Sequence, residues 1–111
     1  MENVCCIIDF DGFHVGGQFL VREFGYVGTD KNSNANSIKF DLEPYKKDLQ
    51  PSDWKTVRFV TKNITGLPLT PVDDENAVSF DCLDSKVTAV YNLFKTPERS
   101  VMAFKGKSII T

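Results

Sequence analysis

What this chain has little of narrows it first. No apolar run approaches the roughly 18 residues that cross a bilayer. Its opening, Met1-Glu2-Asn3, lacks the basic region and small-residue cleavage site of a secretory signal, so none is expected. It has three cysteines, a single histidine and no CxxC pair, a poor basis for a structural zinc site. Cys5 and Cys6 are adjacent in an apolar segment. Neighbours in a strand point to opposite faces, so a bridge between them is not expected. We therefore expect a reducing intracellular setting, cytoplasmic or nuclear, where the sequon Asn63-Ile64-Thr65 has no role. The net charge of −2 lacks the basic excess that draws proteins to nucleic acid by bulk attraction. Repeats, linkers and low-complexity tracts are absent too.

What is present reads as one folded domain over residues 1–111, with room for a single core. The chain is 41% hydrophobic and 12% aromatic, with nine phenylalanines, which favours a core containing a sheet. Charge comes in alternating blocks. Residues 1–43 carry seven acids and three bases, and 44–69 carry two acids and five bases. Residues 70–94 carry five acids and one base, and 95–111 carry one acid and four bases. Solvated surface is the simplest reading of such blocks. They also fit an acidic metal pocket rimmed by bases.

Val4 to Asp9 is a short apolar run with the pattern of a buried strand. Asp11-Gly12 and Gly16-Gly17 bracket an excursion containing Phe13, His14 and Val15, and Gln18 to Val27 forms a second strand. The spacing predicts a hairpin with a connection of six to eight residues rather than a two-residue turn. Gly25, inside the second strand, predicts a bulge or close backbone approach. Residues 28–36 form a polar loop. Ser37 to Leu42 alternates Ile38, Phe40 and Leu42 with polar residues, a half-buried strand ended by Pro44.

From Pro51, helix and strand signals compete. Trp54, Val57 and Val60 recur with helical spacing behind Ser52 as cap, whereas Thr56 to Thr61 is β-branched and aromatic. The helix is favoured. Residues 66–76 form a proline-containing acidic loop. Asp84 is expected to cap a second helix, with Val87, Val90, Tyr91 and Phe94 on one face and Pro97 beyond its end. Ser100 to Phe104 is a last strand, and Lys105-Gly106-Lys107 a turn. The expected order is β-β-β-α-α-β, an α/β fold with antiparallel and parallel parts.

The chemistry concentrates in Ile7-Ile8-Asp9-Phe10-Asp11-Gly12. Carboxylates at i and i+2 on a strand share a face, and a strand end places them at the sheet rim. Hard oxygen donors there suit Mg²⁺ or Mn²⁺. The plainer reading is a strand end with a turn-forming Asp-Gly. His14 could serve as base or ligand, although a single turn histidine is more often solvated. Glu23 could face the pocket, but pairing with Arg22 or a cross-strand neighbour is favoured. Lys105 and Lys107 could touch a phosphate, although a charged turn is the commoner explanation. Trp54 is expected in the core rather than as a base-stacking platform. Cys82, with no histidine near it in sequence, is not expected to be a nucleophile.

These residues also carry a resemblance. Ile7-Ile8-Asp9-Phe10-Asp11 resembles the first-strand Asp-x-Glu motif of the DEDD 3′–5′ exonucleases, within the ribonuclease H-like superfamily, with Asp11 in place of Glu. Phe19 to Val27 is similar to their second strand, Phe40-Asp41-Leu42-Glu43-Pro44 to their third, and Asn63-Ile64-Thr65-Gly66-Leu67 to the segment after their first helix. The chain is also similar to invertebrate proteins related to this superfamily, which share the opening Ile-Asp-x-x-Gly-Phe and the late Lys-Gly turn. The resemblance covers most of the chain. It implies a ribonuclease H-like domain: a three-stranded antiparallel meander, two helices and a returning strand.

For function, the resemblance implies metal-dependent nucleic-acid hydrolysis. Asp9 and Asp11 would be catalytic and metal-binding, and Gly12, Phe13, His14, Lys105 and Lys107 would contact nucleic acid. The pattern departs from the family late in the chain. No acid lies between Arg99 and Thr111, where the family carries its next Asp, and its final His or Tyr and Asp have no counterpart. The expectation is a domain whose C-terminal part is missing and whose acidic site is incomplete. It would then act either as a nuclease fragment or as an inactive module binding nucleic acid or a protein. A truncated sheet would also offer an edge for self-association. Asp9-Phe10-Asp11-Gly12 is also similar to the first motif of haloacid dehalogenase-like phosphatases, whose doubly wound core barely fits this length.

Overall fold

A computed structural model describes residues 3–72 and 75–104. Five strands form one mixed sheet: β1 (Val4–Val15), β2 (Gln18–Gly28), β3 (Asn36–Asp41), β4 (Ala77–Ser79) and β5 (Val101–Phe104). Their spatial order is β4-β3-β2-β1-β5. β1, β2 and β3 form the antiparallel meander, while β5 runs parallel beside β1 and β4 parallel beside β3. Helix α1 (Pro51–Val60) connects β3 to β4, and α2 (Leu83–Phe94) connects β4 to β5. The chain is thus mixed α/β as expected, with the three-residue β4 added between the helices. Ala77-Val78-Ser79 is too short for its alternation to stand out in the sequence.

The hairpin corrects one expectation. β1 continues through Phe13, His14 and Val15, and Val15 pairs directly with Gln18. Gly16 and Gly17 alone make the turn, at φ of 56° and 78°. Two consecutive positive φ angles define the tight turn whose twist matches the flanking strands, and glycine reaches them without strain.

The expected bulge also lies elsewhere. Asp11 pairs with Glu23 and Gly12 with Val21, leaving Arg22 as the extra residue of β2. Gly12 is the position of close approach: a Cβ there would run into the Leu20 carbonyl oxygen. At Gly25 a Cβ would meet only ordinary contacts, at 3.9 Å.

Two hydrophobic clusters hold the layers together and meet at Phe80. The first joins Cys6, Ile8, Phe24 and Phe40 of the sheet to Val90 of α2, with Val87, Tyr91 and Phe94 packed against it. These are the helical positions the sequence spacing marked. The second joins Phe13, Val15 and Leu20 at the hairpin end to Val57 of α1 and Leu69, with Trp54 against them. Burying such a side chain contributes about 1.5–3 kcal/mol, so this apolar pattern fixes where each helix sits.

The helix starts differ from expectation. α1 is capped by Gln50 rather than Ser52, through a reciprocal capping box with Asp53. α2 follows a short 3₁₀ turn, Phe80–Cys82, whose cap is Ser79; Asp84 lies in the first turn of α2 rather than at its cap. Beyond Val60 the helix widens into a π turn, Thr61–Thr65, and stops at Gly66 in the left-handed conformation. No helix among the described residues is long and apolar enough to cross a membrane.

Candidate functional site

Among the described residues, the parallel ladder between β1 and β5 reaches the pair Ile8 and Phe104. Asp9 is the next residue of β1. The acids do not stand at a strand end, as the sequence suggested: β1 runs on to Val15, so Asp9 and Asp11 lie in its middle, within the ladder to β2. Asp9 lies opposite Gly25, while Asp11 lies opposite Glu23, which in turn lies opposite Lys39. Cross-strand partners share a face. Asp11, Glu23 and Lys39 therefore form a polar row across three strands, with Asp9 one step along the same face.

The electrostatics follow from this register. Glu23 accepts an ion pair from Lys39 at 3.2 Å, the cross-strand partner the sequence favoured. Asp11 has no such cation among the described residues. Partial burial, then the neighbouring charges of Asp9 and Glu23, push its carboxyl above the usual Asp range. A divalent cation would relieve that crowding. Asp9 and Asp11 supply hard oxygen donors of the kind Mg²⁺ and Mn²⁺ take, and Mg²⁺ is commonly held by one or two carboxylates while keeping several waters. To that extent the donor set fits. Among the described residues, however, no group of three or more metal-ligating side chains comes together.

Two shallow cavities divide the acids. One, of about 270 Å³, is lined by Asp11, Gly12 and His14 on β1 and by Thr56, Phe59 and Ile64 on the α1 side. The other, of about 190 Å³, is lined by Asp9 with Ile7, Gly25 and Asn36. Asp11 and His14 are thus brought to one cavity, whereas Asp9 borders the next. His14 is exposed and lies against Phe19, with ring centroids 4.5 Å apart.

Phe13 is a correction. Its exposure is 0% and it packs in the second hydrophobic cluster, so it offers no surface to a nucleic acid. Strict alternation would put Phe13 on the face of Asp9 and Asp11, but the ladder shifts register between Asp11 and Gly12, and beyond the shift Phe13 is buried with Val15 and Leu20. Gly12 lies beneath the β2 backbone, and Lys105 and Lys107 lie outside the described residues.

Two further features were not foreseen. Arg22, expected to neighbour Glu23, is completely buried and joins Glu75 through two hydrogen bonds of 2.6 and 2.8 Å. Its Nε donates to the Pro68 carbonyl at 2.7 Å, binding the loop after α1 to the sheet. An arginine in an apolar strand pattern, with an acidic loop downstream, was the available signal. Cys5 and Cys6 do not face apart either: their sulfurs are 3.8 Å apart, because the β1–β5 register slips between Val4 and Cys6. Both are free thiols, and burial, followed by Cys5, pushes the Cys6 thiol up to about 12. It is thereby kept protonated and unreactive.

Neither family models, nor curated proteins, nor solved structures match the chain.

Proposed function

We propose that this chain is a ribonuclease H-like, exonuclease-related domain that engages nucleic acid through a divalent cation at Asp9 and Asp11. The observation that carries this reading is the crowded carboxylate row of Asp9, Asp11 and Glu23 across β1 and β2. The meander with a parallel returning strand beside β1 supports it, being the arrangement the resemblance implies. The phosphatase reading finds less support, because the longest ladder of β1 is antiparallel rather than part of a doubly wound parallel core.

In this reading Asp9 and Asp11 would hold Mg²⁺ or Mn²⁺, and the bound cation would attract nucleic-acid phosphate. A bound cation of this kind supplies charge stabilisation and a more acidic water. Glu23, neutralised by Lys39, shapes the field around Asp11 rather than serving as a ligand. His14, beside Asp11 in the same cavity, is available to a phosphate or sugar.

The absence of a third ligand among the described residues favours a second reading, a catalytically silent module of the same fold that binds nucleic acid or a protein. Digestion of labelled DNA and RNA with Mn²⁺, by the chain and by Asp9→Asn, separates the two. Cleavage lost in the variant supports hydrolysis. No cleavage, or equal cleavage by both, removes the nuclease reading and leaves the module to be tested by Mg²⁺-dependent binding.

A further inference from the structure

The largest cavity described lies on the opposite side of α1 from Asp11. Residues 54, 57, 58 and 61 fall on one stripe of a helix with 3.6 residues per turn, and residues 56, 59 and 60 on the reverse. The first stripe borders a cavity of about 450 Å³, within the usual range for small-molecule sites. Trp54, Val57 and Leu69 give it an apolar lining, and Lys46, Arg58 and Lys62 bring three cations to the same walls. Among the described residues no acid lines it, and no ion pair engages any of the three bases. That is unexpected in a chain with more acids than bases.

One wall is fixed in advance. It is formed in part by Pro68 and Thr70, whose carbonyls accept hydrogen bonds from the buried Arg22 at 2.7 and 3.3 Å. Val57 and Leu69 are themselves buried, so the inner surface does not depend on a mobile side chain. The cavity is therefore built before any ligand arrives, which lowers the ordering cost of binding.

We infer that this cavity takes a phosphorylated nucleobase, its ring against Trp54 and its phosphate among Lys46, Arg58 and Lys62. An uncharged apolar ligand would leave three cations unused, and a bare phosphate would leave the apolar wall unused. A nucleotide uses both, as aromatic platforms flanked by bases do for single strands. The nucleotide is either free or part of a strand. The inference adds a ligand site to the proposed function without resting on its carboxylates.

Trp54 is the sole tryptophan, so its fluorescence reports this cavity directly. The chain is titrated with adenosine monophosphate, with adenosine, and with an eight-nucleotide thymidylate strand. EDTA is present throughout, so that cation binding at Asp9 and Asp11 contributes nothing. Saturable quenching is expected, weaker by about tenfold for adenosine than for its monophosphate, and weakened about tenfold again in Arg58→Glu/Lys62→Glu. Both substituted positions are exposed, and circular dichroism checks that the variant folds. Tighter binding of the strand identifies a strand site, and equal binding of monophosphate and strand a free-nucleotide site. Three results overturn the inference: no saturable quenching by either phosphorylated ligand, equal affinity for adenosine and its monophosphate, or unchanged affinity in the charge-reversed variant.

Discussion

Arg22 with Glu75, and Asp9 with Asp11, are two charged groups on adjacent strands with opposite treatment. Arg22 is wholly buried, yet its donors reach Glu75 and the carbonyls of Phe40, Pro68 and Thr70. Among the described residues, no buried side-chain nitrogen or oxygen is left without a partner. The acids of β1 are the reverse: half-buried, close to one another and to Glu23, with Lys39, the cation paired in this row among the described residues, taken by Glu23. The first arrangement fixes a loop. The second leaves negative charge uncompensated among the described residues in the middle of β1, where a cation would complete it.

The largest effect is expected at Arg22. Arg22→Ala strands the buried Glu75 carboxylate and releases three carbonyls, which costs about 3–5 kcal/mol. Urea unfolding measures it directly. Glu75→Gln keeps the shape and most of the hydrogen bonding, so the loss is smaller, about 1–3 kcal/mol. Hydrogen bonds from Arg22 hold the Glu75 carboxyl below its ordinary value of 4.5. Stability from this pair is therefore present above that value and lost as pH falls through the lowered one. The acid limb of the stability curve should flatten in Glu75→Gln. An unchanged limb would mean that the pair does not hold the loop.

This contrast also shows what the sequence could reveal. The third strand and the α2 face follow from periodicity, because each buries one face in a continuous cluster, while the first and returning strands follow from short apolar runs. The carboxylates were visible as well, since strand geometry alone puts Asp9 and Asp11 on one face. The Arg22 pairing was not. It depends on a bulge that β1 and β2 create only together, and on a loop 46 residues away in sequence. The turn at Gly16-Gly17 was misjudged because Asp11-Gly12 looked like an equally good stop. Only the pairing shows that Gly12 lies inside the strand. The cationic cavity was hidden for a similar reason: Lys46 comes from the turn before α1, while Leu69 comes from the loop after it.

A smaller effect is expected at Gly12, where the two regions touch through the bulge. Gly12→Ala forces a methyl group against the Leu20 carbonyl, and the backbone has to move. Overpacking of this kind costs about 1–3 kcal/mol. The displaced ladder would also separate Asp11 from Glu23, so any cation affinity at Asp9 and Asp11 should weaken with it. Calorimetric titration with Mn²⁺ reads that second effect. Lost stability with unchanged Mn²⁺ binding would uncouple the bulge from the acids.

The smallest effect, and the sharpest test of the contrast, belongs to Asp11→Asn. Because the Asp11 carboxyl is raised above its ordinary 3.8, the folded chain binds its proton more tightly than the unfolded chain does. Its contribution to stability is present below 3.8 and lost as pH rises through the raised value, the opposite sign to Glu75. At neutral pH without divalent cations, the variant should therefore be more stable than the parent, by about 0.5 kcal/mol for relieved like-charge crowding. Added Mg²⁺ should reverse the order, stabilising the parent in proportion to occupancy and leaving the variant little changed. Thermal melts at neutral pH, with EDTA and then with Mg²⁺, give both comparisons in one series. If Asp11→Asn is destabilising in EDTA, the carboxylate is already compensated and the two charged groups are alike after all. If it is stabilising in EDTA and Mg²⁺ moves neither protein, the crowding is real but no cation uses it.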